Sequence, residues 1–225
     1  MFEVTTAWKS AFRGAHVGVL AMRDVTNPAH HAELEKLKAE LEAGLREQFK
    51  GQDRAALSSH PVLQVYDEYY KRFKKTYHVQ LQLESIVMKG KSIPSVAALV
   101  EAMFMAEVKN MLLTAGHDLD VLQLPLTLDV SRGSEVYTVM RGDQQTLKPD
   151  DMFISDKAGV ISDIIYGPDQ RTQIQANTRS VVFTVYAPAG IKAETITKHL
   201  EDMRNHALII APQAKVELLQ VFGGE

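Results

Sequence analysis

The chain has 225 residues, 45% of them hydrophobic and 24% charged, with a formal net charge of -3 and no cysteine. This composition suits a globular protein with one good core, and it excludes disulfides, thiolate metal sites, cysteine nucleophiles and a globally basic nucleic-acid binder. The start lacks the basic stretch and apolar run of a signal peptide, and no apolar segment reaches bilayer-spanning length, so a cytoplasmic protein without a membrane partner is expected.

Residues 15–22 read as a first buried strand. Asn27-Pro28 then predicts a helix start, with Asn27 as N-cap and Pro28 at the first helical position. Leu34, Leu37, Leu41, Leu45 and Phe49 follow at helical spacing and Gly51 supplies the stop. His60-Pro61 opens a second helix carrying Val62, Val65, Tyr66, Tyr69 and Phe73 on one side, with cations crowding its last turn. Residues 80–89 read as a short helix closed by Gly90. Residues 95–113 read as a long, very apolar helix ended by Gly116.

From Leu126 the pattern turns to strands. Residues 126–130 and 135–140 flank Ser131-Arg132-Gly133-Ser134, which predicts a hairpin. Residues 152–155, 159–165 and 180–186 continue the sheet, 193–206 form an amphipathic helix, and 216–222 a final strand. Helices first and strands later predict an α+β fold, a mixed β-sheet packed with helices on one side. Residues 1–59, the first strand and helix, are expected to pack on a main domain of residues 60–225.

Charge is uneven along the chain. Lys71, Arg72, Lys74, Lys75, Lys89 and Lys91 stand against the single acid Glu84, whereas residues 143–169 hold six aspartates against Lys148 and Lys157. A local anion-binding surface and a plain solvated helix face both produce such a count.

The motifs are more useful for what they remove. Lys89-Gly90-Lys91-Ser92 resembles the end of a P-loop, but the glycine required five residues earlier is Ser85. No Gly-x-Ser-x-Gly elbow and no dinucleotide fingerprint occurs, so a serine hydrolase and the common redox chemistries drop away. Adjacent His30 and His31 would diverge on a helix, and His199 and His206 have no obvious third ligand. His117-Asp118-Leu119-Asp120 is the best metal candidate, yet it lacks a second ligand cluster, and no metal or cofactor is expected. His117 and Asp118 could instead orient a water or ligand, or simply cap a helix. Tyr166-Gly167-Pro168-Asp169-Gln170-Arg171-Thr172, between two β-branched runs, reads as a polar loop held by a rigid sheet, where sites concentrate.

In order and spacing, several segments are similar to one known family. His60-Pro61-Val62, Lys89-Gly90-Lys91, the helix running into Gly116-His117-Asp118-Leu119-Asp120, and Asp169-Gln170-Arg171-Thr172 followed by Thr178-Arg179 resemble the B3/B4 domain. That domain is the editing module of the bacterial phenylalanyl-tRNA synthetase beta subunit, and here the resemblance is to its free-standing form, across residues 62–187. It implies an α+β B3/B4-like fold with tRNA as partner. It implies binding of the aminoacylated 3′ end and hydrolysis of a mischarged amino acid in trans, without tRNA charging.

On this reading His117 and Asp118 are the catalytic candidates, His117 placing a water. Asn110, Asp120, Tyr166, Gly167, Asp169, Arg171, Thr172, Thr178 and Arg179 line the substrate pocket, and Lys71, Arg72, Lys74, Lys75, Lys89 and Lys91 meet RNA. An aminoacyl ester is reactive enough that an aligned water and a stabilised oxyanion suffice. The synthetase's acidic residue for the tyrosine hydroxyl has no placed counterpart, and Tyr166-Gly167-Pro168 departs from the expected pocket sequence, so the amino acid is not assigned. A non-catalytic RNA-binding module and a pocket for a free amino acid or metabolite without RNA are the alternatives.

Overall fold

The computed structural model describes residues 1–223; the last two positions of the unit expected over 60–225 lie outside the described residues. In chain order the elements are β1 (Phe2–Val4), α1 (Thr6–Ala11), β2 (His16–Arg23), α2 (Ala32–Gln48), α3 (Arg54–Ser58), α4 (Pro61–Lys71), α5 (His78–Val87) and α6 (Ala98–Asn110). There follow β3 (Leu113–Asp118), a 3₁₀ turn (Leu119–Val121), β4 (Leu126–Val130), β5 (Val136–Thr138), β6 (Gln144–Thr146), β7 (Met152–Asp156) and β8 (Gly159–Asp163). The chain continues through β9 (Gly167–Pro168), β10 (Ser180–Ala187), α7 (Ala193–Ile210) and β11 (Lys215–Gly223).

The fold is α+β, as expected, but the strands divide. One sheet runs β1-β4-β7-β8-β9, a second runs β11-β2-β10-β3, and β5 and β6 form a separate ribbon. In the five-stranded sheet β1 is parallel to β4 and the other pairs are antiparallel. The four-stranded sheet is antiparallel throughout. Residues 1–59 contribute β1 to one sheet and β2 to the interior of the other.

Strand β10 is buried along its whole length, as a strand covered on both faces must be. One face meets helices: Thr114 on β3 bonds His199 on α7 at 2.8 Å. The other face meets the five-stranded sheet, where the Tyr186 and Ser162 hydroxyls lie 2.7 Å apart. Gly116 permits this layering, because a Cβ there would lie 2.9 Å from Ile174 and 3.1 Å from the Met103 sulfur.

Four expectations are corrected. The apolar helix stops at Asn110, because Met111 takes a left-handed φ of 59° and closes α6. Residues 113–118 are therefore strand β3, and His117-Asp118 is not a helix end. Ser131–Ser134 joins no hairpin: β4 pairs with β1 and β7, while β5 pairs with β6. Nor do residues 180–186 continue the sheet of 152–155 and 159–165, since β8 and β10 belong to different sheets. Finally, α2 is capped by His31, whose Nδ1 accepts from Leu34 at 3.4 Å. Asn27 is buried and caps α6 from a distance, accepting the Leu99 amide at 3.0 Å and donating to the Gln175 carbonyl at 3.0 Å.

The helix after His60-Pro61 forms as read, with Pro61 at its first turn. It ends in a Schellman arrangement: Lys75 N–H donates to Tyr70 O at 3.1 Å and Lys74 N–H to Lys71 O at 3.0 Å. Lys74 itself holds φ at 56°, a left-handed position where glycine is the unstrained residue. No helix among the described residues is long and apolar enough to cross a membrane.

Candidate functional site

Alternation along β3 decides where His117 points. Thr114 and the Gly116 position face the helices, so His117 faces the other sheet and the loop that crosses between sheets. There its Nδ1 lies 2.7 Å from the Thr172 hydroxyl. The Thr172 hydroxyl in turn donates to Asp169 Oδ1, which also accepts the Thr172 amide at 3.1 Å. Since the single hydroxyl proton of Thr172 goes to a carboxylate, His117 must donate through Nδ1, and its Nε2 carries a lone pair. That Nε2 is buried and has no hydrogen-bond partner among the described residues. The ring is completely enclosed. Burial first, then the charge of Arg171, pushes its pKa down to about 3, so the imidazole is neutral.

Asp169 is also the link to open space. A hollow of about 400 Å³ is walled by Tyr137, Thr138, Gly159, Asp169, Gln170 and Arg171, among others. Burial raises the Asp169 pKa above the usual carboxylate value, although its bonds to Thr172 oppose this. Arg171 stands beside it with its fork already used: both terminal nitrogens reach Asp156, at 3.0 and 2.9 Å, and Nε lies 3.5 Å from Asp169 Oδ2. The guanidinium thus braces two buried aspartates. Tyr137 closes the far wall, its hydroxyl donating to the Gly167 carbonyl at 2.8 Å. Gly167 holds φ at 83°, a turn that suits glycine.

The other expected pocket residues do not all converge. Asp118 spends both oxygens on the chain itself, accepting Thr178 Oγ1 at 2.6 Å and the Asp120 amide at 3.0 Å. Its own amide donates to the Thr172 carbonyl at 2.7 Å, so Asp118 and Thr178 clamp the crossing loop onto β3. Asp120 is exposed and pairs with Arg23 at 3.4 Å. Asn110 lies on the helical face, donating to Asp202 at 2.9 Å and reaching His199 at 3.2 Å. Neither Asn110 nor Asp120 joins the His117–Asp169 cluster, because α6 ends before the chain turns into β3. Arg179 is exposed, its guanidinium on the Thr178 carbonyl at 2.9 Å. No three His, Asp or Glu side chains converge as metal ligands among the described residues.

The basic segment splits in two. Lys71, Arg72, Lys74 and Lys75 are exposed at the end of α4, with Lys71 paired to Asp67 and Arg72 lying over the Tyr69 ring at 5.0 Å. The Lys75 ammonium sits 5.3 Å from the centroid of Tyr166. Lys89 and Lys91 lie beyond the ten residues of α5, a helix about 15 Å long. There the Lys91 carbonyl accepts Arg46 from α2 at 3.0 Å.

Sequence reasoning missed a buried acidic pair. Of the six aspartates between 143 and 169, Asp151, Asp156, Asp163 and Asp169 are buried, so most of that charge points inward. Tyr69 donates to Asp151 at 2.6 Å, and the Tyr166 amide to Asp163 at 2.7 Å. Burial, and then the neighbouring Asp163 carboxylate, pushes the Asp151 pKa up, so the pair keeps a proton at neutral pH. The signal was present: Asp163 interrupts the run Val160-Ile161-Ser162-Asp163-Ile164-Ile165, and an acid inside such a strand needs partners.

No protein-family model and no curated protein sequence matches the chain. Among solved structures, the chain is similar to an N-terminal fragment of the phenylalanyl-tRNA synthetase beta-subunit from Pyrococcus horikoshii. The TM-score is 0.50 with 11% sequence identity, covering 96% of this chain and 50% of that one. The chain thus spans half the length of that fragment, and what the two share is a fold.

Proposed function

We propose that the chain binds the aminoacylated 3′ end of tRNA, with the aminoacyl group in the hollow beside Asp169. The observation that carries this reading is the hollow itself: about 400 Å³, in the size range of small-ligand sites, with Asp169 among the residues that line it. A free α-amino group is a cation, and Asp169 is the acid offered to it. The similarity to a tRNA synthetase beta-subunit fragment supports a tRNA-borne ligand over a free amino acid. Hydrolysis of mischarged ester in trans is a second reading, favoured by the lone pair that the Asp169–Thr172–His117 chain leaves on Nε2. Binding stands first because the His117 ring is sealed from the hollow.

The test pairs binding with turnover. Wild type should prefer tRNA carrying a stable amide-linked amino acid over bare tRNA. Asp169→Asn should lose that preference by about 10-fold or more, the range of a hydrogen bond to a charged group. A wild type that treats both tRNAs alike removes the reading and leaves a free amino acid or metabolite as ligand. In a deacylation screen across matched and mismatched aminoacyl-tRNAs, His117→Ala should slow any hydrolysis by roughly 10²-fold with tRNA binding kept. If wild type hydrolyses none, the binding module stands alone.

A further inference from the structure

We infer that a second hollow, bordered by Lys75, Met140, Arg141, Gln145 and Tyr166, is a subsite for an unpaired nucleotide. Tyr166 is its stacking platform and Lys75 its phosphate contact. The inference rests on the tRNA-binding reading and says where the nucleotide lies.

The hollow measures about 360 Å³. Its floor is built to hold one ring still. The Tyr166 amide is fixed to Asp163 at 2.7 Å and the Gly167 amide to the same oxygen at 3.1 Å, so the backbone beneath the ring is pinned to the buried acidic pair. No other aromatic ring stacks on Tyr166 among the described residues; what lies over it is the Lys75 ammonium, 5.3 Å from the centroid. Lys75 has no carboxylate within ion-pair distance among the described residues, whereas Arg141 pairs with Asp143 on the ribbon turn. The strained Lys74, at φ 56°, sets the direction in which Lys75 leaves α4.

A cation over a half-buried aromatic ring at the edge of a hollow suits the exchange a nucleotide requires. The base takes the ring face, and the ammonium moves to the phosphate. The Gln145 amide nitrogen donates to the Thr146 carbonyl at 2.7 Å, which leaves its amide oxygen to accept from a base edge. Inorganic phosphate alone would use the cations and leave the ring unused. The two hollows share the β5–β6 ribbon as a border, and Val139 on that ribbon bridges to Asp169. A 3′ end with its acyl group beside Asp169 therefore has an adjoining place for a base at Tyr166.

The experiment titrates a single-stranded cytidine-cytidine-adenosine trinucleotide, and an abasic trinucleotide of equal charge, into wild type, Tyr166→Ala, Tyr166→Trp and Lys75→Gln. Each variant is first checked for an unchanged thermal melt; Tyr166→Trp keeps the test alive should the alanine variant unfold. Wild type should prefer the trinucleotide with bases. Tyr166→Ala should weaken it about 10-fold or more while leaving the abasic ligand unaffected, and Tyr166→Trp should match or exceed wild type. Lys75→Gln should weaken both ligands and lower the salt slope by about one. No binding to wild type, equal binding of the two ligands, a neutral Tyr166→Ala or a weakened Tyr166→Trp overturns the subsite. If wild type binds the trinucleotide through Tyr166 but ignores acylation, the acyl-hollow reading falls and this one stands. If wild type prefers acylated tRNA while Tyr166→Ala is neutral, the outcome is the reverse.

Discussion

Two buried histidines sit on opposite faces of the β3–β10 pair, each against a threonine, and their second nitrogens separate them. His199 meets Thr114 through Nε2 at 2.8 Å and Asn110 through Nδ1 at 3.2 Å. The Asn110 nitrogen also donates to Asp202, so it is a donor to His199 as well, and the ring is satisfied at both ends. His117 meets Thr172 through Nδ1 and nothing through Nε2. A histidine with both nitrogens paired fastens two elements; one held by a carboxylate-backed hydroxyl keeps its second nitrogen uncommitted. The same two residue types thus make a fully paired joint on the helical face and a half-paired one on the other.

Acid should move both histidines most. Burial pushes each pKa down to about 3, so the unfolded chain takes up protons below about pH 6.5 that the folded chain refuses. The stability they contribute is complete above that pH and is lost as pH falls towards 3, each histidine giving up about 1.4 kcal/mol for every pH unit descended. Glu107 has the opposite sign. Burial pushes its pKa up to about 8, so its contribution is complete below the ordinary carboxylate value and lost as pH rises towards 8. Urea melts across pH should therefore weaken at both ends. His117→Gln and His199→Gln should each flatten the acid limb, and an unchanged limb in His117→Gln would mean that its ring is not sealed.

A smaller effect separates the two threonines. Thr172→Val strands both Asp169 and His117, and should cost about 2–3 kcal/mol; Thr114→Val leaves one nitrogen of His199 unpaired and should cost about 1 kcal/mol. Equal losses in denaturant melts would erase the contrast between the two joints. The smallest effect carries no energy at all. Nitrogen chemical shifts of the two rings should report opposite neutral tautomers, with the hydrogen on Nδ1 of His117 and on Nε2 of His199. Matching tautomers would break the comparison.

The sequence made the elements legible where periodicity was strong. The α4 start at Pro61, the β-branched strand β10 and the amphipathic α7 all form near the expected residues. It failed where a backbone turn used an unexpected residue. Gly116 looked like the helix stop because glycine tolerates positive φ, but Met111 makes the turn, and the misreading turned a strand into a helix end. Local pattern also could not assign strands to sheets, so strands of two layers read as one sheet. At the site, Asp169, Thr172 and His117 were all singled out, and the structure joins them. The brace of Arg171 on Asp156 was invisible because its partners come from different turns of the same sheet, and the inward aspartates could not be told from surface charge by counting.

The described chain also begins and ends in one place. Phe2 on β1 and Phe222 on β11 meet with ring centroids 4.7 Å apart and planes tilted by 33°, so the first and last strands come together at this point. A unit with adjoining ends can be carried as a cassette inside a longer polypeptide without distorting its host, and it can be re-threaded. A circular permutant joining the two ends through a short flexible linker and opened at the exposed Gly51 should keep both sheets and both hollows, since neither cut nor join touches a residue that builds them.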